Sequence, residues 1–201
     1  MSIWPRIDER ITKVKIRRSE EEMKVILNSR TKIIITILVI VFVLSLLLLE
    51  HLQGGVVSHH LLARKDMPKI SNWWGVLIVP IMTWILLSLI QKNQITSSND
   101  QISVSDKEIY GFIGAFIFGV TVTVLFYNAP ELPGYFMLMT FVLALFIPIY
   151  RPEFCLGFIL SMAYGFGGVL PVLFGLILIP IYLIEYRYIR KAFLFVFSKV
   201  K

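Results

Sequence analysis

The segment from residue 51 to residue 74 holds the side chains best suited to chemistry, including all three histidines of the chain. His59 and His60 are followed closely by Arg64 and Asp66. Imidazole titrates near neutral pH and a carboxylate can orient it, so these residues could form an acid–base site with an anion-holding arginine. Neighbouring histidines rarely bind one ion together, and the sequence has no spacing typical of a metal site. We therefore predict no metal, and the sequence leaves the identity of any cofactor unknown. The alternative is a solvated loop at the membrane surface.

A glycine-rich stretch lies inside a long apolar run near the end of the chain. Glycine adopts positive φ at no steric cost, so the chain can reverse direction there. Irregular backbone at membrane depth is tolerated only where it is buried in protein or lines a water-filled space. We therefore predict a helix break below the membrane surface, with a pore or cavity lined by Tyr164, Gly165, Gly167, Gly168 and Pro171.

The triplet Gly165-Phe166-Gly167, followed by Pro171, resembles part of the filter signature of potassium channels. The resemblance covers about seven residues and implies backbone carbonyls that replace the water around an ion. The sequence departs from the signature at Tyr164, where a threonine is expected, and at Gly168, where an acid is expected. The alternative interpretation is a turn between two short helices.

Ionisable side chains are absent from the interior of the apolar segments. The acidic residues nearest to them fall at or beyond their ends, at Glu50, Asp66, Glu131, Glu153 and Glu185. Proton relays and ion-coupled transporters keep such groups near the bilayer midplane, so their absence argues against a proton relay. Pro80 should free the backbone carbonyl of Val76 and kink its helix, and the nearby Thr83 hydroxyl is a candidate partner for that carbonyl.

The composition sets the class of protein that must position these residues. Hydrophobic residues make up 57% and charged residues 16%, against about 45–50% and 25% in soluble domains. This excludes a soluble enzyme domain, a disordered tail and a disulfide scaffold. We predict an all-α, polytopic membrane protein surrounded by lipid bilayer. The net charge of +7 clusters at the termini, where it sets orientation and does not indicate nucleic acid.

Four apolar segments have nearly the length of about 20 residues that a membrane span needs, and residues 154–184, which are too many for one span, are interpreted as two. Trp73 and Trp74 should anchor the second predicted span at the lipid headgroups. A re-entrant segment followed by one full span is the alternative for residues 154–184. The predicted spans are Ile33–Leu49, Trp73–Ile90, Ile109–Tyr127, Gly134–Tyr150, Phe154–Tyr164 and Val169–Tyr186.

The distribution of Lys and Arg favours six spans over five. Six spans place seventeen of the twenty basic residues on one side, whereas five spans divide them twelve to eight. The positive-inside rule then puts both termini in the cytoplasm, and we expect a bacterial cytoplasmic membrane. The expected organisation is a basic segment at 1–30, a membrane domain at 31–186 and a basic, aromatic tail at 187–201. A capping box at Ser19–Glu22 predicts that the first helix begins there and runs unbroken into the bilayer.

Three functions remain open, because a fold class by itself assigns none. The first is permeation or transport of a small neutral or weakly charged solute. The second is an accessory or scaffold subunit, with another membrane protein or a second copy of this chain as partner. The third is a membrane-embedded enzyme that acts at the outer leaflet through His59, His60 and Asp66.

Overall fold

The computed structural model describes residues 27–56, 58–60, 66, 69–95 and 106–192. These residues form six α-helices and a short antiparallel β-hairpin in which β1 pairs with β2. A 3₁₀ turn precedes the second helix, and the last helix passes into a π-helical turn at Glu185–Ile189. In chain order the elements are α1 Ser29–Leu52, β1 Ser58–His60, β2 Lys69–Ser71, α2 Gly75–Ile95, α3 Asp106–Asn128, α4 Pro133–Phe146, α5 Pro152–Phe166 and α6 Val169–Ile184.

Four of these helices are long and apolar enough to cross a membrane, which makes the chain a helical integral membrane protein. They are α1, α2, α3 and the helix that continues from α6 to Ala192. The other two, α4 and α5, have 14 and 15 residues. At 1.5 Å per residue each covers about 21–23 Å, less than the roughly 30 Å of a bilayer core.

Several helix ends differ from those predicted, and two of the differences have a clear local reason. α1 begins at Ser29 because Asn28 has extended backbone and its side chain accepts the Thr31 amide, so the unbroken helix expected from Ser19 is wrong. α4 ends at Phe146, short of Tyr150, because the residue before Pro148 is extended. The last helix runs past Tyr186 to Ala192. The β-hairpin is an element that the sequence did not predict.

Contacts between helix ends show that successive helices run in opposite directions. The end of α1 meets the beginning of α2 through Glu50 and Asn72. The ends of α3 and α5 meet through Tyr127 and Gly165. The beginnings of α2 and α6 meet through Gly75 and Gly168. We call the end of the bundle that carries β1 and β2 the hairpin end, and the other the opposite end.

The closest helix pair is α3 with α5, and small residues make it close. Gly157 of α5 packs against the backbone of α3 at Phe112, and Gly119 of α3 packs against Ser161. Four residues further along each helix, Gly165 packs against Thr123. Small residues repeated every four positions let two helix backbones approach, which is the usual basis of helix association in lipid. This contact fixes the position of the C-terminal end of α5.

Candidate functional site

The helix break predicted between Tyr164 and Pro171 is present. α5 ends at Phe166 and α6 begins at Val169, and Gly167 between them has a φ of 71°. Positive φ is the conformation that glycine adopts readily and that side chains with a Cβ resist. Glycine at position 167 therefore permits the chain reversal between α5 and α6.

The break lies inside the bundle and not on its surface. Gly165 packs against Thr123, five residues before the last residue of α3, which is a depth of about 8 Å. Gly168 packs against Gly75 and Val79 of α2. The reversal is thus enclosed by α2 on one side and α3 on the other.

Asn72 joins the break to the end of α1. Its side chain lies against Gly167, so closely that no Cβ would fit there, and its Nδ2 donates to Glu50 Oε1 at 2.7 Å. Asn72 is only 4% exposed, whereas Glu50 is half-buried in the last turns of α1. The position of Asn72 follows from the 3₁₀ turn Asn72–Trp74, which Ser71 caps by accepting the Trp73 amide. A glycine at 167 is therefore needed both for its φ and for the space that Asn72 occupies.

A cavity of about 470 Å³ opens beside this contact at the hairpin end. On one wall of the cavity the Tyr127 hydroxyl donates a hydrogen bond to the Gly165 carbonyl at 3.0 Å. The cavity lining combines two leucines with carboxylate, amide and phenol groups, which is the mixed surface typical of small-molecule sites. The lining residues are Leu46, Leu49, Glu50, Gln53, Asn72, Tyr127, Tyr164, Gly165 and Gly167.

The five residues predicted to line a pore or cavity divide among three places. Tyr164, Gly165 and Gly167 line the 470 Å³ cavity. Gly168 lines a small adjoining pocket that also borders Glu50 and Asn72. Pro171 lies away from both, in an apolar pocket between α3, α4, α5 and α6.

The interpretation of residues 165–167 as an ion filter is wrong. α5 remains helical through Phe166, so the carbonyls of Tyr164 and Gly165 belong to a helix end and do not form an extended row. The Gly165 carbonyl is also occupied by the Tyr127 hydroxyl.

The histidine-containing segment is arranged differently from the predicted loop. α1 extends through His51 to Leu52, and β1 aligns His59 with Ile70 and His60 with Lys69. Asp66 lies in an exposed turn. Arg64 and the side chains of His59 and His60 lie outside the described part of the chain, so the acid–base site stays a prediction. Among the residues that the structure describes, no three His, Cys, Asp or Glu side chains are grouped to hold a metal ion.

Trp73 and Trp74 lie at the beginning of α2, on the hairpin end. Both are more than half exposed. Indole rings at this level suit the headgroup region of a bilayer, so their role as interfacial anchors stays a prediction that the position favours.

A buried hydroxyl lies below the cavity on α2, the helix that follows the turn containing Asn72. Thr83 is eleven residues further along, about 16 Å deeper, and is 1% exposed. Its Oγ1 has no hydrogen-bond partner among the described residues, so the expected bond to the carbonyl freed by Pro80 is wrong. Buried polar atoms are nearly always paired, and an unpaired one requires an explanation.

A second group of buried charges lies at the opposite end, where α3 and α5 begin. Arg151 Nε is 3.0 Å from Glu153 Oε1, and Arg151 Nη2 is 3.7 Å from Glu108 Oε1. Glu153 is 1% exposed and packs against Gly111, beside the ring of Phe154. These three charged side chains line neither the 470 Å³ cavity nor the two pockets described above.

Four cavity residues carry no signal in the sequence that marks them as a site. Glu50 follows an apolar run and is typical of a helix end. Asn72 precedes Trp73 and Trp74, and only the two tryptophans form a recognisable signal. Gln53 and Tyr127 are ordinary residues for the ends of spans. No fixed spacing connects positions so far apart, and only the packing of α1, α2, α3 and α5 brings them together.

No protein-family model, curated protein or solved structure matches the chain. Function must therefore be inferred from the cavity and the helices around it.

Proposed function

We propose that the protein binds a small neutral or weakly charged solute in the cavity at the hairpin end and lets it cross the membrane. The observation that carries this proposal is the polar cavity of about 470 Å³ built on the broken junction of α5 and α6. Broken helices place backbone polar groups at membrane depth, which is how many transport proteins form their binding sites. A cavity of this volume accommodates a small organic molecule.

The buried face of α2 offers a route from the cavity toward the opposite end. Asn72 lies in the turn before α2, Val79 and Thr83 lie on α2 itself, and all three are at most 4% exposed. The Thr83 hydroxyl would give a polar solute a partner about halfway through the bilayer, which explains why it is buried without one. Val79 is fully enclosed and closes this route in the conformation described.

Movement of α1 would open the route. The described contacts that bury α1 are confined to one stripe, formed by Lys32, Val39, Val43 and Leu47. Val39 and Val43 of α1 belong to the same buried cluster as Val79, so a shift of α1 away from α2 would loosen the packing around Val79. Alternating access of this kind needs only a rigid displacement of one element against the rest.

A cysteine at position 83 tests the proposal without knowledge of the solute. The natural cysteine is first removed as Cys155→Ser, and Thr83→Cys is then exposed in liposomes to a membrane-impermeant thiosulfonate. The matched control is Ala144→Cys, because Ala144 is equally buried at 1% but lies on α4 and lines none of the cavity. We expect Thr83→Cys to react and Ala144→Cys to stay unmodified.

Equal protection of both cysteines would contradict the proposal, because a permeation route must admit water to Thr83. That result would favour an accessory or scaffold subunit, and co-purification with a second membrane protein would then be the next measurement.

We further propose that both termini are cytoplasmic and that the hairpin end faces outward, in a bacterial cytoplasmic membrane. The support is the concentration of Lys and Arg in residues 1–30 and 187–201. Reporters fused after Lys201 and inserted near Asn99 should both read cytoplasmic, and a tag near Met67 should read external. An external reading after Lys201 would overturn this orientation.

A further inference from the structure

We propose that an apolar pocket near the opposite end holds an acyl chain of an anionic phospholipid, whose phosphate group lies on Arg190. The pocket has a volume of about 320 Å³ and is formed by α3, α4, α5 and α6. It shares no lining residue with the 470 Å³ cavity at the hairpin end. Three features carry the proposal: the apolar lining, the opening toward the bilayer and the position of one cation at the membrane surface.

The hydroxyl hydrogens of the lining are used within the protein. The Thr140 hydroxyl donates to the Met137 carbonyl, so the Tyr182 hydroxyl must donate to the Thr140 oxygen. None of the described residues that line the pocket is charged, and the Cys155 thiol is only a weak donor. A polar solute would therefore find no strong side-chain donor here. Apolar cavities in proteins stay dry and take apolar ligands, so the occupant that fits is a hydrocarbon chain.

The pocket opens toward the lipid at Gly114. This residue is exposed on α3, and a Cβ built on it would meet no atom within 4 Å. Gly114 lies eight residues after the beginning of α3, which places the opening about 12 Å from the membrane surface at the opposite end. Head groups occupy only about 5–7 Å on each side of a bilayer, so acyl chains lie at this depth.

A second pocket extends the apolar space along α4. Met137 and Phe158 line both the 320 Å³ pocket and the apolar pocket that contains Pro171, whose volume is about 190 Å³. The smaller pocket borders Gly134 near the beginning of α4, and the larger one borders Ile147 after its end. Together they follow α4 over its 14 residues, or about 21 Å. This elongated shape suits an acyl chain.

Arg190 lies between the pocket and the membrane surface. Its guanidinium stacks on the Tyr186 ring at 4.7 Å, and the Tyr186 and Tyr150 ring centroids are 5.6 Å apart. Tyr150 directly follows Ile149, which lines the pocket. Tyr182 also lines the pocket, on the same helix as Arg190 and about 12 Å deeper. A lipid whose chain fills the pocket therefore carries its head group at the level of Arg190.

The charges at this level favour an anionic head group. Within the described part of the chain Arg190 contacts the Tyr186 ring and forms no ion pair with a carboxylate. Arg187 and Lys191 are exposed nearby, whereas the Glu185 side chain is buried. A guanidinium presents its N–H donors in a planar fork that matches a phosphate group. Basic pockets between membrane helices are typical binding sites for anionic head groups.

The experiment measures lipid binding by native mass spectrometry of the detergent-purified protein, after removal of co-purified lipid. The two probes have identical palmitoyl and oleoyl chains and differ only in the head group. Phosphatidylglycerol is anionic, and phosphatidylcholine is zwitterionic. We expect the first phosphatidylglycerol to bind with a Kd about fivefold lower than that of phosphatidylcholine, because charge-assisted hydrogen bonds are the stronger ones.

Two substitutions separate the head-group contact from the chain contact. Arg190→Gln should raise the Kd of phosphatidylglycerol about fivefold, to that of phosphatidylcholine. Arg187→Gln is its matched control, because Arg187 carries the same charge but is exposed and makes no ring contact with the described residues. Gly114→Phe places a ring in the opening and should raise the Kd of both lipids about fivefold or more. Val124→Phe is its control, since Val124 is 53% exposed on the same helix and lines neither pocket.

Each variant is compared with the parent by gel filtration to establish that it is folded. Equal Kd values of the two lipids for the parent, or a preference for phosphatidylglycerol that survives Arg190→Gln, would overturn the head-group assignment. Lipid binding that is the same in Gly114→Phe as in Val124→Phe would overturn the chain assignment. A dimer that binds no lipid, and that Gly114→Phe separates into monomers, would overturn the proposal and assign the pocket to a second copy of the chain. None of these outcomes depends on the reactivity of Thr83→Cys, so the lipid site is tested independently of permeation.

Discussion

Both ends of the bundle carry carboxylates next to packed helices, but these carboxylates differ in their burial and in their neighbours. At the opposite end Glu108 and Glu153 lie against the Arg151 guanidinium, and Glu153 is packed onto Gly111. At the hairpin end Glu50 accepts a hydrogen bond from the neutral Asn72 amide beside a cavity of about 470 Å³.

This difference separates carboxylates packed between two helices from a carboxylate beside open space. At the opposite end one guanidinium lies against two carboxylates and joins the beginnings of α3 and α5. At the hairpin end the half-buried Glu50 side chain borders the cavity. The first arrangement explains why α3 and α5 begin together, and the second underlies the proposed binding site.

The largest expected effect on stability is at Gly167, the glycine of the helix break at the hairpin end. Gly167→Val should lower the free energy of unfolding by about 4 kcal/mol, because a β-branched residue resists positive φ and would clash with Asn72. The measurement is unfolding of the purified protein in detergent by SDS. Gly175→Val is the control, since a Cβ at Gly175 meets only the Cys155 sulfur at 3.3 Å and Ile159 beyond it. Equal losses for the two variants would mean that the break is not a stability-determining element.

The next effect tests the opposite end. Arg151→Ala should lower the free energy of unfolding by about 2 kcal/mol, because it removes the guanidinium that lies against two buried carboxylates. The value is reduced from that of a fully buried pair since the Arg151 side chain is 32% exposed. Arg187→Ala is the control, because Arg187 is exposed in the π-helical turn and its loss should change the free energy of unfolding little. Unfolding by SDS again supplies the comparison, and a loss no greater than that of Arg187→Ala would show that the charges do not hold α3 to α5.

The smallest effect sharpens the comparison at the cavity wall. Tyr127→Phe removes only the hydroxyl that donates to the Gly165 carbonyl and should lower the free energy of unfolding by about 1 kcal/mol. Tyr135→Phe is the matched control, because Tyr135 at the same end is as exposed as Tyr127, at 69% against 65%, but its hydroxyl makes no hydrogen bond to the described residues. The same unfolding assay measures both. A Tyr127→Phe variant as stable as Tyr135→Phe would indicate that the α3–α5 seam alone positions the end of α5.

Much of the fold could be predicted from the sequence. Apolar runs of membrane length locate α1, α2, α3 and α6, and glycines at 165, 167 and 168 locate the break between the last two helices. Local rules suffice for these features, since a helix in lipid must satisfy its own backbone and glycine alone adopts positive φ freely. The prediction failed where a nearby side chain or proline decides a helix end, as at Asn28 and Pro148.

The site itself was decided by tertiary structure. Asn72 contacts Gly167 and Glu50 across separations of 95 and 22 residues, and Tyr127 reaches Gly165 across 38. No periodicity or motif encodes such pairs, because they depend on how the small residues of α3 and α5 bring two helices together and on how α2 packs against the break. The sequence by itself determined that the chain lies in a membrane and where it turns. Only packing decided which polar groups meet at that turn, since hydropathy fixes the depth of a residue but not its neighbours.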